Sequence, residues 1–366
     1  CQAHKEYDED IEQWEFDEGF PIRELENIIN KPTKPTMTSD NKLMYLSSLD
    51  KTTGKYQIYC SQQVNGVWSE PQNIGNIVNN PQYNQIEPFI TVDGNTLYFS
   101  SDREGGQGGY DIWVTHKSKN GTWLKPTNCG KRINTPRDEF SPFLHCDNES
   151  FYFSSSGWKG FGGGDLFYIN LNDIKMKEPL NLGQEINTEK SEREIMIKKD
   201  GKTAYRGEWD SITKNYNIVT YPLPENCRGE NLHLVHLTIK DKQLPAYNCK
   251  IDVLNLSENT SVSYYTAVDE EKTLLALHPH DKYLIKIEKP SYAFCCQYVD
   301  MRLKKNTHKH VFCYRFVLMR IKNRPEIFGE QLIMNEKDEI IGTEEKLLIS
   351  PTTLSIDELY NRVCEA

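Results

Sequence analysis

The chain has 366 residues, 37% of them hydrophobic and 26% charged, which excludes a disordered polypeptide and allows two domains or more. A formal net charge of −10 gives no electrostatic reason to seek phosphate backbones, so nucleic acid is not an expected partner. No run approaches the roughly eighteen apolar residues of a membrane-spanning helix.

Residues 1–10 are polar, and the acidic cluster Glu6, Asp8, Glu9 and Asp10 reads as a solvated tether. Residues 12–30 resemble a fragment of a connector that recurs downstream, with Trp14 and Ile29-Asn30 as its markers. A repeat then begins. Asp40, Asp93, Asp147 and Asp200 each sit at a predicted two-residue hairpin turn, spaced by 53, 54 and 53 residues. At the second of these, Gly94 supplies positive φ without steric cost. A second marker keeps the same register: Gln57, Asp111, Asp165 and Asn217 precede Ile58-Tyr59, Ile112-Trp113, Leu166-Phe167 and Ile218-Val219. The third is a connector with Trp68, Pro71, Gly75 and Asn79, then Trp123, Pro126, Gly130 and Asn134, then Pro179, Gly183 and Asn187.

Repeats of this length, each of about four strands, predict an all-β chain that opens with a β-propeller. Four repeats imply four blades over residues 11–224, with the N-terminal segment supplying the strand missing after Tyr221. Five blades, one of them irregular, is the alternative. Period-two alternation at Leu232, Leu234 and Leu237, at Ile251 and Val253, and at Ile285 and Ile287 predicts a run of strands over residues 230–300. Residues 301–366 form a short C-terminal region, with a strand in YRFVLMRIK and helical spacing in SIDELYNRVCEA.

Three resemblances extend this reading. The pattern through Pro88, Phe89, Asp93, Gly94, Ser100, Arg103, Gly106, Gly109 and Asp111, met again at Pro142, Phe143, Asp147, Ser154, Gly163 and Asp165, resembles the PD40 repeat of TolB-like propellers. Asp241, Pro245, Ala246, Asp269, Leu277, Pro279 and Tyr283 resemble the carboxypeptidase-regulatory-like module, a transthyretin-type sandwich, although Glu270 stands where that family carries Gly. A chain beginning at Cys1 looks like a bacterial lipoprotein after signal-peptide cleavage, acylated on that cysteine. Together these imply an outer-membrane lipoprotein of Bacteroidota type, lipid-anchored on the periplasmic face or the cell surface. Its implied partners are proteins of an envelope complex for secretion such as type IX, outer-membrane assembly or uptake.

Candidate chemistry is sparse. Asp111 and Asp165 are readable as metal ligands beside glycine loops, but an acid recurring once per blade points to architecture, as do the turn acids. Arg103 and Arg206 are readable as anion-binding residues or as partners of those acids. GGQGG and GFGGG lie between strands with no helix N-terminus behind them, so nucleotide binding is not expected. The pairs His233/His236, His278/His280 and His308/His310 show no third ligand, and ten cysteines include no CxxC spacing. Reduced thiols are expected, with the adjacent Cys295-Cys296 pair as the exception. No nucleophile or metalloprotease motif occurs, so no enzyme activity, metal or cofactor is expected. The competing expectation is a glycan-binding or hydrolytic funnel built from Glu87, Glu139, Glu192, Arg193 and Glu194.

Overall fold

The structure is a computed structural model that describes residues 5–8, 13–16, 29–64, 67–118, 120–210, 214–229, 232–241, 244–246, 249–265, 272–290, 292, 294–304, 311–318, 327–334 and 340–348. The chain divides into two compact units, Cys1–Gly229 and Glu230–Ala366.

In the first unit, β1 (Lys5–Asp8) and β2 (Gln13–Phe16) form an antiparallel hairpin. Four antiparallel sheets follow, one per repeat. Blade 1 holds β3 (Thr36–Met37), β4 (Leu43–Leu49), β5 (Tyr56–Val64), β6 (Val67–Trp68) and β7 (Gln72–Asn73). Blade 2 runs β8 (Gln85–Ile90), β9 (Thr96–Ser101), β10 (Asp111–His116), β11 (Thr127–Asn128). Blade 3 runs β12 (Glu139–Leu144), β13 (Ser150–Ser155), β14 (Asp165–Asn170), β15 (Leu180–Asn181). Blade 4 holds β16 (Met196–Ile197), β17 (Thr203–Asp210) and β18 (Asn215–Pro222). This is a β-propeller of four blades among the described residues, each beginning at the axis and running outward.

The repeated acids set the hairpins. Asp40, Asp93, Asp147 and Asp200 each accept on Oδ1 from the backbone N–H two residues on, at 3.1, 3.1, 2.9 and 2.9 Å. The residue between takes left-handed geometry every time: Asn41, Gly94, Asn148 and Gly201 have φ of 55°, 70°, 59° and 66°. Gly and Asn are the residues that tolerate it.

The connectors do heavier work. Asn79, Asn134 and Asn187 are buried, and each treats one residue of the blade behind it as a strand neighbour would. Their Oδ1 atoms accept from the N–H of Ile58, Ile112 and Leu166, all at 2.8 Å. Their Nδ2 atoms donate to the carbonyls of the same three residues at 2.8, 2.9 and 2.9 Å. Nδ2 also donates to Oδ1 of Asn73, Asn128 or Asn181 at the blade's last strand. The carbonyl just before each clamp is capped as well: Val78 O accepts from Arg103 Nη2, Ile133 O from Trp158 Nε1 and Ile186 O from Arg206 Nη1.

Apolar packing joins the blades in series. Ile58, Tyr45, Leu97, Phe99 and Trp113 bind blade 1 to blade 2. Tyr98, Ile112, Phe151, Phe153 and Phe167 bind blade 2 to blade 3, and Tyr152, Leu166, Tyr168, Ile195 and Ala204 bind blade 3 to blade 4. Each buried aromatic contributes on the order of 2–3 kcal/mol. Leu223 and Cys227 extend the last cluster, and Tyr152 Oη donates to Cys227 O at 2.8 Å. Among the described residues no such cluster joins blade 4 to blade 1.

The N-terminal expectations change. Gln13–Phe16 pairs with Lys5–Asp8, so the residues assigned to a tether and to a closing strand form their own hairpin. Asn30 begins the inner run of blade 1, where its N–H donates to Ser48 Oγ at 2.9 Å. Asn84 and Asp138 do the same in the next blades, so Asn30 matches them and not the connector Asn134. Residue 1 and residues 17–28 lie outside the described residues.

The second unit is a β-sandwich. One sheet orders β20 (Leu244–Pro245), β19 (His233–Asp241) and β23 (Lys272–Leu277); the other orders β22 (Thr260–Tyr265), β21 (Lys250–Asn255), β24 (Lys282–Glu288) and β25 (Cys295–Asp300). Val235, Leu237, Ile251, Val253, Ile285, Ile287 and Val299 fill one core between them. The first sheet does not stop at residue 300: β26 (Val311–Leu318) pairs in parallel with β19, and Phe316 and Leu318 enter the core. β27 (Ile327–Met334) and β28 (Ile340–Leu348) form a separate hairpin. The expected C-terminal helix, Asp269 and the His308/His310 pair lie outside the described residues. The free thiols among the described cysteines include both Cys295 and Cys296, held up at about 11 and about 12 by burial.

Two predictions follow from the latches. Asn134→Ala leaves the N–H of buried Ile112 without a partner, at about 1–3 kcal/mol, while its carbonyl keeps the Cys129 N–H at 3.0 Å. Urea unfolding of that variant is expected to lose about 1–3 kcal/mol from the first unit, whereas a surface control such as Lys131→Ala shows none. The second concerns His145, which stands 3.2 Å from the Asp147 carboxylate in the core. Burial disfavours the charged ring, yet Asp147, then Cys146 with its Sγ 3.5 Å from Nε2, outweigh it and raise His145 to about 10. Burial opposes Asp147 too, and His145 with two backbone N–H groups brings it down to about 2. A raised imidazole stabilises fully below its ordinary 6.5 and loses the effect as pH climbs through about 10. A depressed carboxyl stabilises above its ordinary 3.8 and loses the effect as pH falls through about 2. The stability difference between this protein and His145→Thr is therefore expected to peak between about pH 4 and 6.5 and shrink on both sides.

Candidate functional site at the propeller axis

The repeat places one residue per blade at the axis, six before each turn acid: Lys34, Glu87, Ser141 and Glu194. Glu87 and Ser141 both sit in bulges, where the register against the next strand shifts between Ile86 and Phe89 and between Phe140 and Phe143. Their φ of 52° and 49° is left-handed, a conformation non-glycine residues adopt at a cost of about 1 kcal/mol or more. The bulge re-aims the side chain from the blade toward its neighbour.

Buried Glu87 is the hub. Its Oε2 accepts from Ser141 N–H and Ser141 Oγ, both at 2.8 Å, which ties blade 2 to blade 3. Its Oε1 accepts from Arg193 Nε at 2.7 Å and lies 2.7 Å from Nη2, which ties blade 2 to blade 4 across the axis. The same guanidinium lies 3.7 Å from the centre of the Phe140 ring. Lys34 brings a second cation. Its Nζ is sealed from solvent and has no hydrogen-bond partner among the described residues. Burial therefore pulls the ammonium below its ordinary range, with Glu194 and then Glu87 opposing that shift through space. Glu194 itself is exposed.

The remaining funnel candidates do not join this group. Glu139 accepts from Thr135 N–H, Thr135 Oγ1 and Ser155 Oγ at 2.8, 2.6 and 2.7 Å, and burial raises its carboxyl. Glu192 repeats the arrangement with Thr188 N–H and Oγ1 at 3.0 and 2.6 Å. Both fasten the connector to the inner strand. The five candidates thus fall into an axial set (Glu87, Arg193, Glu194) and two latches. Lys34 and Ser141 were missed by reading motifs, although counting six back from each turn acid finds them.

Asp111 and Asp165 face their own glycine turns. Asp111 Oδ2 accepts from Gln107 N–H and from Asn128 Nδ2, while Asp165 accepts from Phe161 and Gly162 N–H groups at 3.0 and 3.1 Å. A Cβ at Gly106 or Gly160 would collide with these carboxylates, which is why glycine precedes them. Arg103 stacks on Phe99 and Trp113 and donates to Val78 O, and Arg206 pairs with Glu208, stacks on Tyr221 and donates to Ile186 O, so both are committed to their blade and the connector before it. His278 and His280 lie in the turn after β23, not along a strand, so they do not share a strand face. Among the described residues no group of three or more His, Cys, Asp or Glu is placed to hold a metal.

No family model matches the chain, and no curated protein does. Solved structures do resemble it. TolB from Acinetobacter baumannii is 14% identical with a TM-score of 0.37, over 78% of this chain and 57% of that one. A putative TolB from Agrobacterium tumefaciens is 15% identical with a TM-score of 0.35, over 79% and 81%. An α-L-arabinofuranosidase from Podospora anserina in complex with cellotriose is 12% identical with a TM-score of 0.37, over 75% and 91%. The chain thus spans little over half of the Acinetobacter protein.

The axial cluster makes its own prediction. Lys34→Met removes a buried cation with no hydrogen bond, so it is expected to raise unfolding stability by about 1–3 kcal/mol. Glu87→Gln should lower it by a similar amount, because Arg193 loses its counter-charge. Chemical denaturation of the two variants checks both signs; a destabilised Lys34→Met would mean the ammonium has a partner.

Proposed function

We propose that this protein is a non-enzymatic docking scaffold, an accessory subunit of an envelope complex at the outer membrane. The observation that supports it is the state of Glu87. The carboxylate nearest the axis is neutralised by Arg193 and saturated by Ser141, so it braces three blades against one another and is not held ready to move a proton. Glu139 and Glu192 are equally committed to threonine partners within the fold. A disc stiffened at its centre and at its connectors offers rim and loop surfaces to other proteins. The PD40-like repeat and the carboxypeptidase-regulatory-like pattern support a subunit of Bacteroidota type, in secretion such as type IX, outer-membrane assembly or uptake.

The test of docking is affinity purification of the tagged chain from detergent-solubilised membranes. Partners at constant stoichiometry are expected, and a chain that elutes alone across detergents overturns the reading. A glycan-binding or hydrolytic funnel is favoured by one observation, the partnerless Lys34 Nζ beside Glu194. The two separate on Lys34→Met: a scaffold keeps its partners, whereas a funnel site loses ligand binding.

A further inference from the structure

Blade 4 differs from the other three at one edge. In blades 1 to 3 a two-residue strand closes the outer side: Gln72–Asn73 on Tyr59 and Cys60, Thr127–Asn128 on Trp113 and Val114, Leu180–Asn181 on Phe167 and Tyr168. The clamp asparagine then takes both backbone groups of Ile58, Ile112 or Leu166. The corresponding residues of blade 4 are Ile218, Val219 and Thr220, and no strand pairs with that side of β18 among the described residues. Ile58, Ile112 and Leu166 are 0% exposed; Ile218 is 61% exposed. Its counterparts are buried between the apolar residue of a closing segment (Val78, Ile133 or Ile186) and the following blade, and Ile218 has neither among the described residues.

The three finished blades also show what pairs with that edge. Their closing segments share one sequence, Asn-apolar-Gly-x-x-apolar-Asn: Asn73 to Asn79, Asn128 to Asn134, Asn181 to Asn187. Each position has a reason. The first Asn accepts from the Gly N–H at 2.9, 2.9 and 2.8 Å and from the clamp's Nδ2. The Gly turns the chain with φ of 97°, 77° and 85°, and the apolar residue before the clamp is buried. Residues 12–28 contain no such sequence: Gly19 follows Asp17-Glu18, and Arg23 stands where the clamp Asn belongs. Asn30 is already engaged in blade 1.

We propose that the outer edge of β18 is a docking site for an extended strand of a partner polypeptide carrying Asn-apolar-Gly-x-x-Ile/Val-Asn. The partner strand completes blade 4 in trans, with its last Asn clamping the N–H and C=O of Ile218. This rests on the scaffold reading and gives it a partner chemistry.

The probe is a labelled peptide, EPLNLGQEINT, copied from residues 178–188 of this chain, titrated into the full-length protein by fluorescence anisotropy. Saturable binding is expected, weakened about tenfold when the peptide's last Asn is Ala, since two backbone hydrogen bonds are lost. Ile218→Pro removes the outward N–H at an edge position, where a sheet tolerates proline, and should abolish binding with an unchanged circular dichroism spectrum. Amide exchange at Ile218 should be fast alone and slow with peptide. Slow exchange without peptide would show the edge covered by the chain's own residues and overturn the proposal. Fast exchange with no binding overturns it equally. A partner recovered from membranes whose capture survives Ile218→Pro sinks this inference and leaves the scaffold reading standing.

Discussion

The propeller depends on a side-chain amide acting as a piece of strand. An asparagine carries one acceptor and one donor at the separation a neighbouring backbone would present, so it takes the outward N–H of an edge residue and shares that residue's carbonyl with one N–H of the closing segment. Asn79, Asn134 and Asn187 do this from a connector that is leaving one blade for the next. Without the clamp, Ile58, Ile112 and Leu166 would each bury an unpaired backbone N–H in the apolar interfaces that join the blades. Sheet edge and blade interface are therefore solved by one residue per repeat.

A second layer of constraint runs along the axis, where packing is polar. Glu87 reaches blades 3 and 4 and has no room for alternative partners. A buried carboxylate is tolerated because two Ser141 donors and the Arg193 guanidinium surround it; Lys34, close by, lacks such company. The contrast separates a charge used for architecture from one that the architecture leaves over. It also explains why five residues grouped by sequence position do not act as one site: Glu139 and Glu192 face their own connectors, while Glu87 is turned inward by its bulge.

Between blade 4 and blade 1 the scheme changes. No apolar cluster is shared there among the described residues, and Lys34 and Glu194 interact only through space. Blade 4 is joined firmly to blade 3, through Tyr152, Leu166 and Cys227, and across the axis through Arg193.

What could be read from residue order was whatever local backbone chemistry enforces. The turn acids with their following Gly or Asn recur because a two-residue hairpin needs positive φ, and that need is felt within four residues. The period they mark revealed all four blades, and the Gly-x-x-apolar-Asn connectors stood out for the same reason. Contacts between residues far apart in the chain were not legible. Asn30 looked like a connector Asn and lies in the run that leads into the first strand of blade 1, because a two-residue match carries no information about which carbonyl lies opposite. The parallel pairing of Val311–Leu318 with β19 extended the sandwich past residue 300, since a parallel partner needs no turn beside it. The axial hub and the bare edge at Ile218 exist only once the blades stand around a common centre. Burial, and with it the cost of an unpaired charge or an uncovered strand, is a property of that arrangement and of no single segment.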